Sequence, residues 1–317
     1  MMKLSSRICR TVMALGMAGI LIFKTASLAA ETFTLDTARA AAGKGDPQAE
    51  FFLARHYAHG LGVPRDYTRA VTYLRQAASQ GYAPAQTGLG SCYANGEGVQ
   101  QDYPEAVEWY RRAALQNDAL AEYCLGQAYA NGAGVIKETQ KALTWWQKAA
   151  AQGQVNAENA LGRFYLYGAY PGDTHINAAE AARWFRKAAE QDYAPAMGVL
   201  GYMYLYNVGV NQDWTQALQW SRKAAELDDA LAQDNLGQMY ENGEGGLPRD
   251  PVQAYEWFWL SKLQGNQFGD HDVFEIEMHH ALTPQQISEA KRLADEFRAQ
   301  HQAATSQDTS DSSGLKR

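Results

Sequence analysis

The 317-residue chain has only three cysteines, Cys9, Cys92 and Cys124, and no repeated disulfide framework can be built from them. Positive charge is also short: 28 Lys and Arg stand against 35 Asp and Glu. That balance leaves no electrostatic footprint for nucleic acid or for an anionic membrane surface. Long apolar runs are missing, since Thr11 to Phe23 spans thirteen residues before Lys24 interrupts it; a spanning helix needs about 20. No Asn-x-Ser/Thr sequon occurs, which speaks against a eukaryotic secretory route. G-x-S-x-G, H-E-x-x-H and calcium-loop patterns are absent, and Gly96, Glu97 and Gly98 are not followed by a Lys at Walker spacing. No catalytic, cofactor-binding or metal-binding residue is therefore assigned. A site assembled from scattered residues lies beyond motif reading.

The N-terminus does carry a pattern. Lys3, Arg7 and Arg10 precede the apolar run, and Ser27, Leu28, Ala29 and Ala30 offer small residues for cleavage. Residues 1–30 are expected to be a secretory signal. The alternative is an uncleaved anchor. Loss of Lys3, Arg7, Arg10 and Lys24 would leave 24 basic residues against 35 acidic ones, so the mature chain becomes more acidic. An exported bacterial protein, periplasmic or secreted, is the expectation, with no stable membrane insertion after cleavage and no nucleic-acid partner.

The dominant feature is repetition. Ala49, Ala85, Ala121, Ala157, Ala196 and Ala232 are each followed by Leu four residues later and Tyr eight residues later. The steps between copies are 36, 36, 36, 39 and 36 residues. A fixed period of this size means stacked supersecondary units. In the second copy Ala85, Leu89 and Tyr93 form one helical stripe, and Ala106, Trp109, Tyr110, Ala113 and Ala114 form another. Asn95 to Val99 is the turn between them, so each unit is a helical hairpin of helix A and helix B.

Comparison among the copies assigns roles. Gly60, Gly96, Gly132, Gly168, Asn207 and Gly243 end helix A, while Gly45, Gly81, Asn117, Gly153, Asp192, Asp228 and Gly265 end helix B. Only residue types that accept a left-handed backbone occur at either place. Asp66, Asp102, Asn177, Asp213 and Asp250 are expected to cap helix B, with capping boxes at Asp102/Glu105 and Asn177/Glu180. Glu138 breaks the rule, and its helix should be the least well capped. Glycine recurs inside helix A at 90, 126, 162, 201 and 237, with Ala54 in the first copy. A helical Gly costs about 1 kcal/mol against Ala, so close approach by the partner helix, through pairs such as Ala113 and Ala114, is expected in compensation. Trp109, Trp145, Trp184, Trp220 and Trp257 are expected to fill the space between units.

The pattern A-x3-L-G-x2-Y-x2-G-x-G-V followed by D-x3-A-x2-W-x3-A-A resembles the Sel1-like repeat family, a relative of the tetratricopeptide repeats. Leu89, Gly90, Tyr93, Gly96, Trp109, Ala113 and Ala114 carry it in the second copy. The resemblance spans Asp36 to Phe297. It implies an all-α, right-handed α/α superhelix of six hairpins with terminal capping helices and a concave face. The chain divides accordingly into a signal (1–30), an N-terminal capping half-repeat (31–48), six repeats (49–268), C-terminal capping helices (269–301) and a disordered tail (302–317). Thr283 to Gln286 should start the last helix, whose stripe of Ile287, Ala290, Leu293, Ala294 and Phe297 would cover Trp257 to Leu260.

Three places depart from the repeat. The fourth copy carries an insertion around Tyr170, Asp173 and His175, either a partner-contacting loop or a tolerated surface loop. Cys92 and Cys124 are open to a disulfide if their Cα atoms lie within about 7 Å, or to a role as two buried small hydrophobes. His271, Glu275, Glu277, His279 and His280 cluster near the last helix, where Glu275 and His279 would share a helical face. Polar residues on a solvated linker account for them more simply than a metal pair does. The resemblance implies a non-enzymatic adaptor of the cell envelope that binds a protein or peptide on its concave face. The alternative is an activity on peptidoglycan or β-lactams like that of cysteine-rich Helicobacter relatives, whose disulfide in every repeat this chain lacks.

Overall fold

The computed structural model describes residues 33–168, 176–279 and 281–311, with side chains up to residue 301. Among these residues all regular structure is α-helical. A short helix α1 (Leu35–Ala42) precedes the pairs α2 (Pro47–His59) and α3 (Tyr67–Ser79), α4 (Ala83–Asn95) and α5 (Tyr103–Ala114), and α6 (Ala119–Asn131) and α7 (Thr139–Ala151). There follow α8 (Val155–Tyr167) and α9 (Ala178–Ala189), α10 (Ala194–Leu205) and α11 (Trp214–Ala225), and α12 (Ala230–Asn242) and α13 (Pro251–Leu263). Two helices complete the chain, α14 (Gln267–Met278) and α15 (Pro284–Asp311). The helices form two compact units, one ending at Leu161 and the other beginning at Gly162, with the boundary inside α8.

In the first unit each helix from α1 to α7 packs on the next. Its core consists of the repeated Leu and Ala positions together with Val71, Leu74, Val107 and Tyr110. In the second unit α9 to α14 pack in the same succession, α10 lies along α12, and α15 returns onto α13. The repeated Leu at 53, 89, 125, 161, 200 and 236 are at most 1 % exposed, as the stripe requires. Burying each such side chain contributes about 1.5–3 kcal/mol.

Helix ends follow the sequence closely. The non-glycine residues with positive φ among those described are Asn117, Asp192, Asn207 and Asp228, at 57–60°. All four are positions that the repeat assigns as stops. Short polar side chains tolerate this backbone where other residues with a Cβ resist it. Asp66, Asp102, Asn177 and Asp213 each accept a hydrogen bond from the backbone N–H three residues on. Glu138 makes no side-chain cap, since its carboxylate turns to Lys141 at 2.8 Å.

Three expectations are corrected. Asp102 caps α5, but the reciprocal half of its box is not formed, because Glu105 accepts from Trp109 Nε1 at 2.9 Å. At Asn177 the partner Glu180 pairs with Arg183 instead. Thr283 and Gln286 do form a reciprocal box at the start of α15. The helical glycines face a ring more than the alanine pair. A Cβ on Gly90 would lie 2.7 Å from the Tyr110 ring, one on Gly126 2.3 Å from Trp146, one on Gly162 2.9 Å from Phe185 and one on Gly237 2.4 Å from Phe258.

The third correction concerns the repeated Trp, which are half-buried, whereas the residue after each is fully enclosed. One side of the ring packs on the core at Trp109 and Trp145, and Trp109, Trp145 and Trp184 each also lie under a cation one turn on, with Arg112, Lys148 and Lys187 4.4–4.5 Å from the ring centres. A wet cation–π pair is worth about 0.5–1 kcal/mol, so truncation there costs less than at a sealed core ring. The last helix, α15, spans Pro284–Asp311. No Gly or Pro interrupts the chain between Pro284 and Gly314 to stop it earlier.

Candidate functional site

The repeated polar positions hold units together. The Tyr93, Tyr129 and Tyr204 hydroxyls accept from Arg75, Arg111 and Arg186, each eighteen residues earlier, at 3.1, 3.2 and 2.5 Å. Every such bond joins helix A of one repeat to helix B of the one before. A second ladder lies inside the hairpins: Gln80 donates to Glu50, Gln116 to Gln86, Gln152 to Glu122 and Gln264 to Gln233, at 2.8–3.2 Å. Burial pushes the Glu50 and Glu122 carboxyls up, and the Gln amides oppose it. These residues are structural.

Cys92 and Cys124 are free thiols, so the disulfide open to them from the sequence is not formed. They lie on α4 and α6, and both interact with the hydroxyl of Tyr110, which donates to Ser91 Oγ at 3.3 Å. Burial pushes both thiols up to about 12, which keeps them protonated and unreactive near neutrality. Tyr170, Asp173 and His175 lie outside the described residues. Glu275 and His279 meet one turn apart on α14 at 3.1 Å, yet no group of three metal-ligating side chains is found among the described residues. His280 also lies outside them.

Titratable groups converge in the second unit, on the adjacent helices α10, α12 and α14. Tyr202 on α10 and Tyr206 at its end have ring centres 4.7 Å apart. Asp234 on α12 is 8 % exposed, and its Oδ1 is buried without a hydrogen-bond partner. Asp272 on α14 accepts from Gln238 at 3.1 Å. Burial raises the Asp234 carboxyl well above the usual carboxylate range and Asp272 adds to the effect. Burial also raises Asp272 itself, against the Gln238 bond and His271, while Glu241 and Glu275 add repulsion. Tyr206 is pushed up by burial and by Asp234, Glu244 and Asp272. Among the described residues no Lys or Arg forms an ion pair with any of these carboxylates.

Sequence reading marked His271 and Glu275 but missed Asp234 and Tyr206. The signal was present in the comparison of copies. Two residues after the opening Ala stand Phe51, Thr87, Tyr123, Asn159, Gly198 and Asp234, and only the last is charged.

No helix among the described residues is long and apolar enough to cross a membrane. Six consecutive segments, 47–82, 83–118, 119–154, 155–193, 194–229 and 230–266, match the Sel1 repeat family. Among solved structures, c5321, a protective antigen of uropathogenic Escherichia coli with an SLR fold, is 34% identical with a TM-score of 0.66. That match covers 83% of this chain and 56% of that one, so the chain spans little more than half of the antigen's length. A Sel1 repeat protein from Oxalobacter formigenes is 30% identical with a TM-score of 0.61, covering 71% of this chain and 90% of that one. No curated protein sequence matches. With six matched repeats over most of its described length and an all-helical fold of stacked hairpins, the chain belongs to the Sel1 repeat family.

Proposed function

We propose that the protein is a non-enzymatic scaffold of a bacterial cell envelope that binds a protein or peptide segment on the face lined by its A helices. Sel1 repeats commonly serve as scaffolds for protein–protein interaction. The observation that carries the reading is the division of labour among side chains. Repeated positions are occupied in holding hairpins together, whereas nonrepeated polar and aromatic residues such as Tyr206, Asp234 and Asp272 gather on A helices and on α14. Solenoids present their individuality in this way, with a common frame and a varied surface. The basic start, apolar run and small residues of 1–30 support export, as does the similarity to an antigen.

Photocrosslinking in cells tests the reading, with a photoreactive residue placed in turn on A-helix faces and on B-helix faces. Adducts to the same protein concentrated on A-helix positions are expected. No reproducible adduct across several growth conditions would refute the scaffold. Incubation with a chromogenic β-lactam and with muropeptides tests the enzymatic alternative, and turnover no higher than that of a heat-treated control is expected.

A further inference from the structure

The second unit holds an electrostatic imbalance that its own residues do not resolve. Asp234, Glu241, Glu244, Asp272 and Glu275 act on one another or on Tyr206 across α10, α12 and α14. The basic side chains nearest them are His271, which acts on Asp272, His279, which is held by Glu275, and Arg249, whose Nε donates to the Glu241 backbone carbonyl at 3.1 Å. Elsewhere in the chain exposed carboxylates such as Glu108, Glu138 and Glu289 each have a Lys or Arg within 3 Å. Here Asp234, the most buried carboxylate of the group, lacks a partner at Oδ1. A buried carboxyl oxygen without a donor is unfavourable in the free protein and is relieved by a ligand that brings one.

We propose that this patch is a receptor for an arginine side chain of the partner protein, so that it supplies the chemistry by which the scaffold recognises its segment; the inference rests on the scaffold reading above. Three features select a guanidinium. Asp234 lies one turn before Gln238 on α12, and Gln238 is bonded to Asp272 of α14 at 3.1 Å, so the two carboxyls lie in one neighbourhood, and a planar fork with several N–H donors serves both better than a point charge does. Tyr202 and Tyr206 border the patch with tilted rings, and Tyr206 is 41% exposed at its edge. The exposed Tyr206 ring offers the guanidinium a face to stack on, which adds a cation–π contact. Gln238, already bonded to Asp272, holds that carboxylate in place. The surrounding excess of negative charge attracts a basic segment and repels an acidic one.

Titration of the full chain with N-acetylarginine amide, followed by amide NMR, tests the assignment. Saturable shifts confined to residues near 202–206, 234–241 and 271–275 are expected, and the neutral citrulline analogue should produce none. Asp234→Asn and Asp272→Asn should each weaken binding by about tenfold or more, a loss of about 1.4 kcal/mol. Asp234→Asn should melt no lower than the parent, because it replaces an unpartnered buried carboxyl with a neutral side chain of the same shape, so lost binding is distinguishable from lost fold. Shifts spread over the whole acidic surface, equal shifts with citrulline, or unchanged affinity in Asp234→Asn would each overturn the proposal. A crosslinked partner that contacts other A helices, with no arginine binding here, would sink this inference and leave the scaffold standing. Arginine binding here with no partner captured in cells would do the reverse.

Discussion

At the residue scale, the pairing of a helical glycine with a buried ring governs how each hairpin closes. Gly126 gives Trp146 its place, and a methyl there would meet Cδ1 and Nε1 of the indole at 2.3 and 2.4 Å. Trp146 is 7 % exposed and lies within a packed core, so it has little freedom to withdraw. Gly126→Ala should therefore lower stability by about 1–3 kcal/mol despite its better helix propensity. The first repeat provides the compensating solution, since Ala54 there shares a core cluster with Leu74, the counterpart of Trp146. Gly126→Ala combined with Trp146→Leu should recover part of the loss, measured by urea unfolding. An equal or larger loss in the double variant would show that the ring does not set the requirement for glycine. The glycine period was legible in the sequence. Which side chain used the space was not, because Trp145 and Trp146 are adjacent and only packing tells the enclosed ring from the half-exposed one.

At the element scale, helix B begins with the same device in most repeats, and the exception is informative. Asp102 accepts the Glu105 N–H at 3.0 Å, so Asp102→Ala should cost about 1 kcal/mol. Glu138 occupies the same extended N-cap backbone but its side chain is one methylene too long and binds Lys141. Glu138→Asp should then raise stability by roughly 0.5–1 kcal/mol, seen as an upward shift of the thermal midpoint. A neutral or negative shift would mean that the Lys141 pair already supplies what the cap lacks. Caps and stops were legible because they depend on a few consecutive residues. The missing halves of the boxes at Glu105 and Glu180 were not, since each Glu had a competing partner one turn away on its own helix.

At the scale of the whole molecule, the last repeat of the second unit needs a cover, and α14 and α15 provide it. Phe258 and Tyr255 are fully buried, Val273, Ala290 and Ala294 lie in that core region, and Trp257 meets Phe297 edge-on at 5.1 Å. Removal of residues 281–317 should expose this surface and produce a chain that unfolds at lower urea or associates in solution, as read by sedimentation. The same region carries Glu256, whose carboxyl is pushed to about 7 by burial, with Asp250, Glu289 and Glu296 adding repulsion against a Gln253 bond. Asp229, the cap of α12, is raised by burial to about 6 against two backbone donors. Both folded values exceed the unfolded ones, so the folded state holds these protons more tightly. Their contribution is present below about pH 4 and is lost as pH rises through 6 and 7. Unfolding free energy should therefore fall between pH 5 and pH 8, by up to about 3 kcal/mol from Glu256. Glu256→Gln should raise the melting temperature at pH 8 and flatten the slope. A slope unchanged in that variant would place the titration elsewhere.

Sequence alone determined what is local or periodic here: hairpins, their stops at Asn117, Asp192, Asn207 and Asp228, the weak cap at Glu138 and the stripe that covers Phe258. Those features depend on backbone conformation within a turn or on one apolar face, and six copies repeat the same signal. Tertiary structure decided what depends on neighbours distant in the chain. It put Tyr129 on Arg111, left Cys92 and Cys124 unbonded beside Tyr110, and brought Tyr206, Asp234 and Asp272 onto one patch from three helices. The physical reason is that a solenoid repeats its hairpins in sequence, but its surface is assembled across them.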